Sequence, residues 1–412
     1  MSYLVGNQGS VERTYLYAKA VFGEEEKQAV LRSMNNGWLA SGPLVSEFEQ
    51  KIAALFGKKY GIATNSGSSA NLLALSSLNL PAGCEVITPA CTFATTVSPI
   101  VQAGLVPVFV DSVVGRYTIN EDLVEEAISD KTRAIMVPHL VGGVVDLPKL
   151  RKLADLYHLV LIDDSCDTLA PKLDGKPIAR FSDLATTSFY GSHIITALGM
   201  GGMILTDDVQ LRDRIINMRD WGRLGDDKES FEKRFDFEID GIPYDQKFIY
   251  TSLGYNLKMN EAAAAFGLEQ LKKLPSFLEK RERNFNMLQE YFQKYKKWFI
   301  LPKLIDGATT NWLAYPLTIR PETMALNPEV PFTRYDFLKH LEDNGVQTRV
   351  LFSGNITRHP AYRTLTHRIP SPLSEADEIM AGGLLIGLHQ GIEPEDIQTH
   401  IIDVCERFFE NL

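Results

Sequence analysis

From about residue 58 the chain alternates two hydrophobic patterns. Short, near-continuous apolar runs (KKYGIAT, EVITPA, VPVFVD, TRAIMVPHL, LVLIDDS and GGMILT) predict strands buried on both faces. Between them, SSANLLALSSL and TTVSPIVQAG carry apolar residues at helical spacing. Strands alternating with helices predict an α/β fold with a large, mostly parallel sheet covered on both faces. Ligands in such sheets bind at the C-terminal ends of the strands. The small and polar clusters TNSGSS, PACTF, IDDSCD and TSFYGSH fall at those ends.

Further along, an amphipathic helix is predicted from about Leu271 to Phe299. It leads into a smaller α+β unit. NWLAYPLTI and VQTRVLF read as strands, TRYDFLKHLEDNG as a helix stopped by Gly345, and a last helix starts near Pro394. The expected division is a large domain over 1–300, with the N-terminal segment 1–57 included, and a small C-terminal domain over 301–412.

Bulk properties narrow the classes. A chain of 412 residues can bury a large core, and 45% hydrophobic with 23% charged residues is ordinary for a soluble globular protein. The net charge of -10 gives no basic face, so no nucleic-acid partner is expected. No apolar run approaches the length that spans a bilayer, and MSYLVGNQGS has neither the basic flank nor the apolar stretch of a signal peptide. The four cysteines form no C-x-x-C pair, which suits reduced thiols in a cytoplasmic protein.

Each strand-end cluster allows a chemical reading and a plainer one. TNSGSSANLL sets Ser and Gly where a helix begins, which favours a phosphate; it equally suits a serine-capped turn. In LIDDSCD, one of Asp163 and Asp164 could pair with a protonated ring nitrogen, or cap a turn. Phe93 could stack on a flat ring or fill the core. His193 could be a general base, having an ordinary pKa near neutrality, or a structural side chain.

Taken in order, NGWLASGPLVSEFEQKIAALFG, SGSSAN, TPACTFATT, DDSCD, SFYGSH with GMGG, and GYNLKMNEAAAAFGLEQL resemble the DegT/DnrJ/EryC1/StrS family over nearly the whole chain. The resemblance implies the fold type I of transferases dependent on pyridoxal 5'-phosphate. By position it implies that Gly67, Ser68 and Ser188 hold the cofactor phosphate, that Phe93 stacks on the ring and that Asp164 meets the pyridine nitrogen. Asn256 would reach the phosphate of the neighbouring subunit, giving a homodimer with shared active sites. Asp167 stands where the aminotransferases usually carry Gln or His near the ring hydroxyl.

His193 falls on the family's anchoring lysine, and no lysine occurs from Pro177 to Asp227. An imidazole forms no stable imine with the cofactor aldehyde. The same replacement marks a subset of the family, the nucleotide-sugar 3-dehydratases. The resemblance therefore implies pyridoxamine 5'-phosphate as working cofactor and a nucleotide-diphosphate 4-keto-6-deoxysugar as substrate. His193 would be the base that enables loss of the carbon-3 hydroxyl.

DDSCDTLAPKLDGKPIARFSDLATTSFYGSH, RDWGR and TRVLFSGNITRHPAY resemble a member of the subset that acts on CDP-4-keto-6-deoxyglucose and carries a 2Fe–2S cluster. Of that cluster's four cysteines only the first has a counterpart here, Cys166, and none lies between it and Cys405. One thiolate does not hold such a cluster, so no iron–sulfur cluster and no metal is expected. L-Glutamate is then the expected amino donor that regenerates the cofactor. Arg219, Arg223, Arg349 and Arg358 are candidates for diphosphate contacts, and His359 for the site's edge. The alternatives are a sugar aminotransferase with another anchor, and a silent nucleotide-sugar-binding homologue.

Overall fold

The structure, a computed structural model, describes residues 14–224, 230–320 and 332–412. The reading of Met1–Ser10 lies outside the described residues, as does the middle of RDWGRLGDDKESFEKRF. Seven strands form the main sheet: β1 (Tyr60–Thr64), β2 (Glu85–Pro89), β3 (Val106–Val110), β4 (Thr132–Pro138), β5 (Val160–Ser165), β6 (Leu184–Ser188) and β7 (Gly202–Thr206). Their spatial order is β1-β7-β6-β5-β4-β2-β3. β7 runs antiparallel to both β1 and β6, and every other pairing is parallel. The predicted α/β architecture with a mostly parallel sheet is thus the observed one.

Every residue of β2, β6 and β7 is buried, as the uninterrupted apolar runs require when helices cover both faces. Two residues separate β1 from the helix α1 (Gly67–Ser76), and four separate β2 from α2 (Ala94–Gln102). Crossings this short aim both helix N-termini at the C-terminal edge of the sheet.

The long helix α3 spans Glu261–Gln293. It begins ten residues before the position that periodicity predicts and ends before Phe299, which opens a strand instead. Its start is set by Asn260, whose side chain accepts the Ala263 amide hydrogen at 2.8 Å. The run EAAAAFG reads weakly by periodicity because its alanines, Phe266 and Gly267 are mostly buried all round. Gly267 lies against the ring of Phe48, where a Cβ would come within 2.9 Å.

A second, antiparallel sheet comprises β8 (Phe299–Ile300), β9 (Ala314–Ile319), β10 (Thr348–Val350) and β11 (Gly383–Gly387), in the order β8-β9-β11-β10. β11 is central to it although GGLLIG is too short and too glycine-rich to stand out. Its aromatic core includes Phe292, Phe299, Tyr315 and Phe337. A separate cluster joins Phe48, Phe189 and Met203 around the main sheet to Leu313, Leu351 and Leu385 around the second. Among the described residues no helix is long and apolar enough to cross a membrane.

Phe48 is fully buried, and its ring centroid lies 4.8 Å from that of Phe189, at the start of the loop between β6 and β7. Phe48→Ala is expected to cost about 3–5 kcal/mol of stability through the cavity it leaves. Urea unfolding followed by circular dichroism measures it; a cost under about 1 kcal/mol would show that the ring is not part of this core.

Candidate active site

A cavity of about 450 Å³ opens at the C-terminal edge of the main sheet, a volume in the range of small-molecule sites. It gathers Gly67, Ser68, Phe93, Asp164, Asp167, Ser188 and His193 from four separate strand ends. Tyr17, Leu313 and Phe352 close it from the other side.

Its first wall is the start of α1. Ser66 caps the helix by accepting the Ser69 amide hydrogen at 3.1 Å, which leaves buried Gly67 and exposed Ser68 as its first two residues. Gly67 must be glycine for reasons of space. A Cβ there would lie 2.7 Å from Cys166 Sγ and 2.7 Å from Ser188 Cβ. That closeness brings free helix amides beside the Ser188 hydroxyl, an arrangement suited to a phosphate.

The second wall is the end of β5. Asp164 is almost fully buried, and its carboxylate accepts hydrogen bonds from Asn71 Nδ2 at 2.8 Å, Thr96 Oγ1 at 2.8 Å and the Cys166 amide at 3.1 Å. Asp167 accepts one, from the Val141 amide at 3.0 Å. Desolvation, with a smaller contribution from the nearby Asp164 charge, pushes the Asp167 carboxyl up to about 7; the Val141 hydrogen bond opposes this. Two carboxyl groups at one cavity thus meet unequal environments. Val141 pays for its contact in strain, because this β-branched residue sits at φ 58°. Its carbonyl in turn accepts the Leu313 amide hydrogen at 2.7 Å.

Burial places Cys166 at the same wall with its thiol held well above its usual range, so it stays a neutral thiol. Phe93 caps α2 and is 48% exposed; its ring meets Phe352 edge-on at 5.6 Å across the cavity. A half-open aromatic face in a cavity is available for a planar ligand.

His193 occupies the third wall, in the loop between β6 and β7. Its Nδ1–H donates to the Ser188 carbonyl at 3.4 Å, and since a carbonyl only accepts, Nε2 keeps the lone pair. Desolvation pushes the imidazole down to about 4, the Ser188 contact opposing and the Arg281 charge assisting. His193 is therefore a neutral base at physiological pH. Among the described residues, no lysine and no arginine lines the cavity.

The remaining candidates lie elsewhere. Arg219 is buried against Glu49 and Asp220, each at 3.1 Å, and donates to the Ala63 carbonyl at 3.0 Å; its guanidinium is committed to the fold. Arg358 pairs with Asp377, and Arg223 lies over the Trp221 ring at 4.2 Å. His359 Nε2–H donates to the Ser353 carbonyl at 2.8 Å, one residue from Phe352 on the cavity wall. Exposed Arg349 stacks over Tyr17 at 5.2 Å, at the cavity's edge. Asn256 is exposed, bridged through its backbone to Asp220. Sequence reasoning passed over Asn71, Thr96, Val141 and Arg281. Asn71 and Thr96 are nonetheless embedded in the SGSSAN and CTFATT motifs.

The fold and the strand-end cavity define a chain of the aminotransferase type. It belongs to the DegT/DnrJ/EryC1/StrS aminotransferase family, whose model matches residues 21–406. The lipopolysaccharide biosynthesis protein RfbH of Salmonella typhimurium is 37% identical, over 94% of this chain and 90% of its own. The dTDP-4-dehydro-2,6-dideoxy-D-glucose 3-dehydratase of Saccharopolyspora spinosa is 36% identical, over 94% and 85% respectively. A solved structure of GDP-4-keto-6-deoxymannose-3-dehydratase with a trapped PLP–glutamate geminal diamine superposes with TM-score 0.83 at 25% identity, covering 95% of this chain and 100% of that one.

Two predictions follow from the walls of the cavity. Gly67→Ala should weaken binding of pyridoxal 5'-phosphate at least about tenfold, roughly 1.4 kcal/mol, because Ser188 and the helix start cannot both keep their places; absorbance titration reads it, and unchanged affinity would show that the cradle is not used. Asp167 is raised in the folded state, so its contribution to stability is full below the unfolded value near 3.8 and is lost as pH rises through about 7. His193 acts oppositely, its contribution being full above 6.5 and lost as pH falls through about 4. Asp167→Asn should therefore gain stability relative to the parent as pH rises from 4 to 7. Urea unfolding at several pH values tests this, and a constant difference would refute it.

Proposed function

We propose that this chain is a 3-dehydratase of a nucleotide-diphosphate 4-keto-6-deoxyhexose, working with pyridoxamine and pyridoxal 5'-phosphate. The observation that carries the reading is the cavity's base: a neutral imidazole, with no lysine among the described lining residues. An aminotransferase of this family needs an amine there. The dTDP-sugar 3-dehydratase relative and the PLP–glutamate adduct of the GDP-sugar 3-dehydratase support the substrate class and the amino donor.

The residues present fit the cofactor. Gly67 leaves room that a Cβ would fill, beside the free start of α1 and the Ser188 hydroxyl, and these would take the phosphate with Ser68. Phe93 offers its exposed face to the ring, and the triply hydrogen-bonded Asp164 would hold the ring nitrogen's proton. Asp167 would stand near the ring hydroxyl. When bound, the cofactor supplies an amine that condenses with the 4-keto group and an electron sink for the bonds broken next to it.

The chain's own part is to position and to move protons. His193 Nε2 accepts the proton whose removal lets the carbon-3 hydroxyl depart, and its Nδ1–H on Ser188 fixes the ring's orientation. Tyr17, Leu313 and Phe352 limit water access from the second sheet. Overall, the sugar loses one oxygen, while L-glutamate yields 2-oxoglutarate and ammonia; glutamate supplies both electrons, so the reading requires no iron–sulfur cluster.

The reading includes a cytoplasmic homodimer with shared sites. The homodimer is supported by an exposed apolar surface within 230–255, where Phe231, Ile242, Phe248, Tyr250 and the 94% exposed Leu253 face outward. Asn256, itself exposed, follows that surface in sequence, and in this reading it would reach the second subunit. Arg349, at the cavity's edge, is the best placed of the arginines for the substrate's diphosphate.

The test is a mass spectrum of products from CDP-, dTDP- and GDP-4-keto-6-deoxyhexoses given with pyridoxal 5'-phosphate and L-glutamate but no reductase. A ketosugar one oxygen lighter, formed together with 2-oxoglutarate, is expected from one of them. An aminated sugar retaining its carbon-3 oxygen would identify an aminotransferase instead. His193→Asn should lower turnover at least about 100-fold, the usual contribution of a general base, with cofactor affinity nearly unchanged; near-normal turnover would remove His193 from the mechanism.

A further inference from the structure

Arg281, in the middle of α3, is a buried guanidinium with no acid beside it. Its exposure is 2%, and among the described residues it forms no ion pair. Nη1 donates to the carbonyls of Trp312 at 2.9 Å and Leu313 at 3.2 Å, and Nε donates to Gln390 Oε1 at 2.8 Å. Nη2 is buried without a partner. Burial lowers this group only to about 10, so the charge persists at neutral pH. An uncompensated interior cation is costly, and neutral acceptors repay only part of that cost.

The contacts of Arg281 lead to the cavity by two routes. Gln390, itself buried, donates its Nε2–H to the carbonyl of Ile194 at 3.2 Å, the residue after His193. Leu313 lines the cavity and is hydrogen-bonded to Val141, whose amide holds Asp167. One guanidinium thus braces the loop that carries the imidazole and the opposite wall. Gln390 matters to this because its two ends are used at once, Oε1 by the arginine and Nε2–H by the loop.

We propose that Arg281 is the positioning residue of His193: through Gln390 it fixes the loop that carries the imidazole, and its unpaired charge disfavours a second cation there. The proposal rests on the reading of His193 as the base. The titratable groups sharing the cavity wall with the imidazole are Tyr17, Asp164, Cys166, Asp167 and Tyr190. None of them is a cation, so the positive field comes from behind the wall. Its direction agrees with the depressed basicity of His193 and of His389, which also lies near Arg281. Lys19 adds to the effect at His389.

The experiment is an NMR titration of the full chain labelled at histidine Cε1, with the His193 signal assigned by its loss in His193→Asn. In the parent protein His193 should stay neutral down to about pH 5. Arg281→Met should raise the midpoint by about one unit, and Arg281→Lys should leave it low. Arg281→Gln, which removes the charge but keeps an amide donor at the same place on α3, should likewise raise the midpoint, and it decides the matter if Arg281→Met does not fold. A midpoint unmoved in both Arg281→Met and Arg281→Gln overturns the proposal. So does an Arg281→Lys shift as large as that of Arg281→Met. The titration reads the imidazole itself, so a failure here is distinguishable from a failure of the dehydratase reading, which the product spectrum decides.

Discussion

The carboxylate of Asp164 is the point on which the candidate site depends. Buried at the end of β5, it gathers a donor from α1, another from the start of α2 and the amide two residues along its own chain. Asn71 is itself held, since Thr186 of β6 donates to its side-chain carbonyl at 2.6 Å. One charged group therefore fixes the relative positions of two helices and two strands. A carboxylate buried this deeply persists only when its acceptors are filled. The sequence fills them from three separate motifs, so none of those motifs can shift without leaving the charge exposed to an apolar interior. The helix start, the aromatic cap and the His193 loop are all attached to elements that this carboxylate ties together.

The legible part of the fold was the part built by alternation. Continuous apolar runs are strands because a sheet covered on both faces has no polar side, and six of the main strands announce themselves that way. β6 and β11 were less visible because LATTS is interrupted by threonines and GLLIG by glycines, so neither presents a long apolar run. The start of α3 was misplaced for the opposite reason: buried on nearly every side, its alanines lack the polar face that makes a helix periodic.

At the candidate site, what the sequence disclosed was the set of residues that face the cavity, because those sit in short polar clusters at strand ends. What it concealed was the layer behind them. Arg281 lies amid EKRERN, a stretch that reads as a solvated helical face, and nothing local says that one of its arginines points inward. Val141 reads as an ordinary apolar residue before GG; its left-handed backbone is visible only once Asp167 and Leu313 are in place. Arg219 illustrates the reverse. It is a candidate for a diphosphate contact by residue type alone, whereas its side chain is committed to Glu49, Asp220 and the Ala63 carbonyl.

The reversed direction of β7 has its own consequence. Because β6 and β7 are antiparallel neighbours, the chain leaves the C-terminal edge of the sheet at Ser188 and re-enters it at Gly202, with both ends paired to each other. The residues between form a tethered arch over the cavity, whose feet stay put whatever side chain it carries at its crown. Evolution can therefore exchange the reactive group there by a single codon change, with no strand re-registered and no helix moved. The helix start at Gly67 and the crown of the arch at His193 meet only at Ser188, which is a foot of the arch and a neighbour of both.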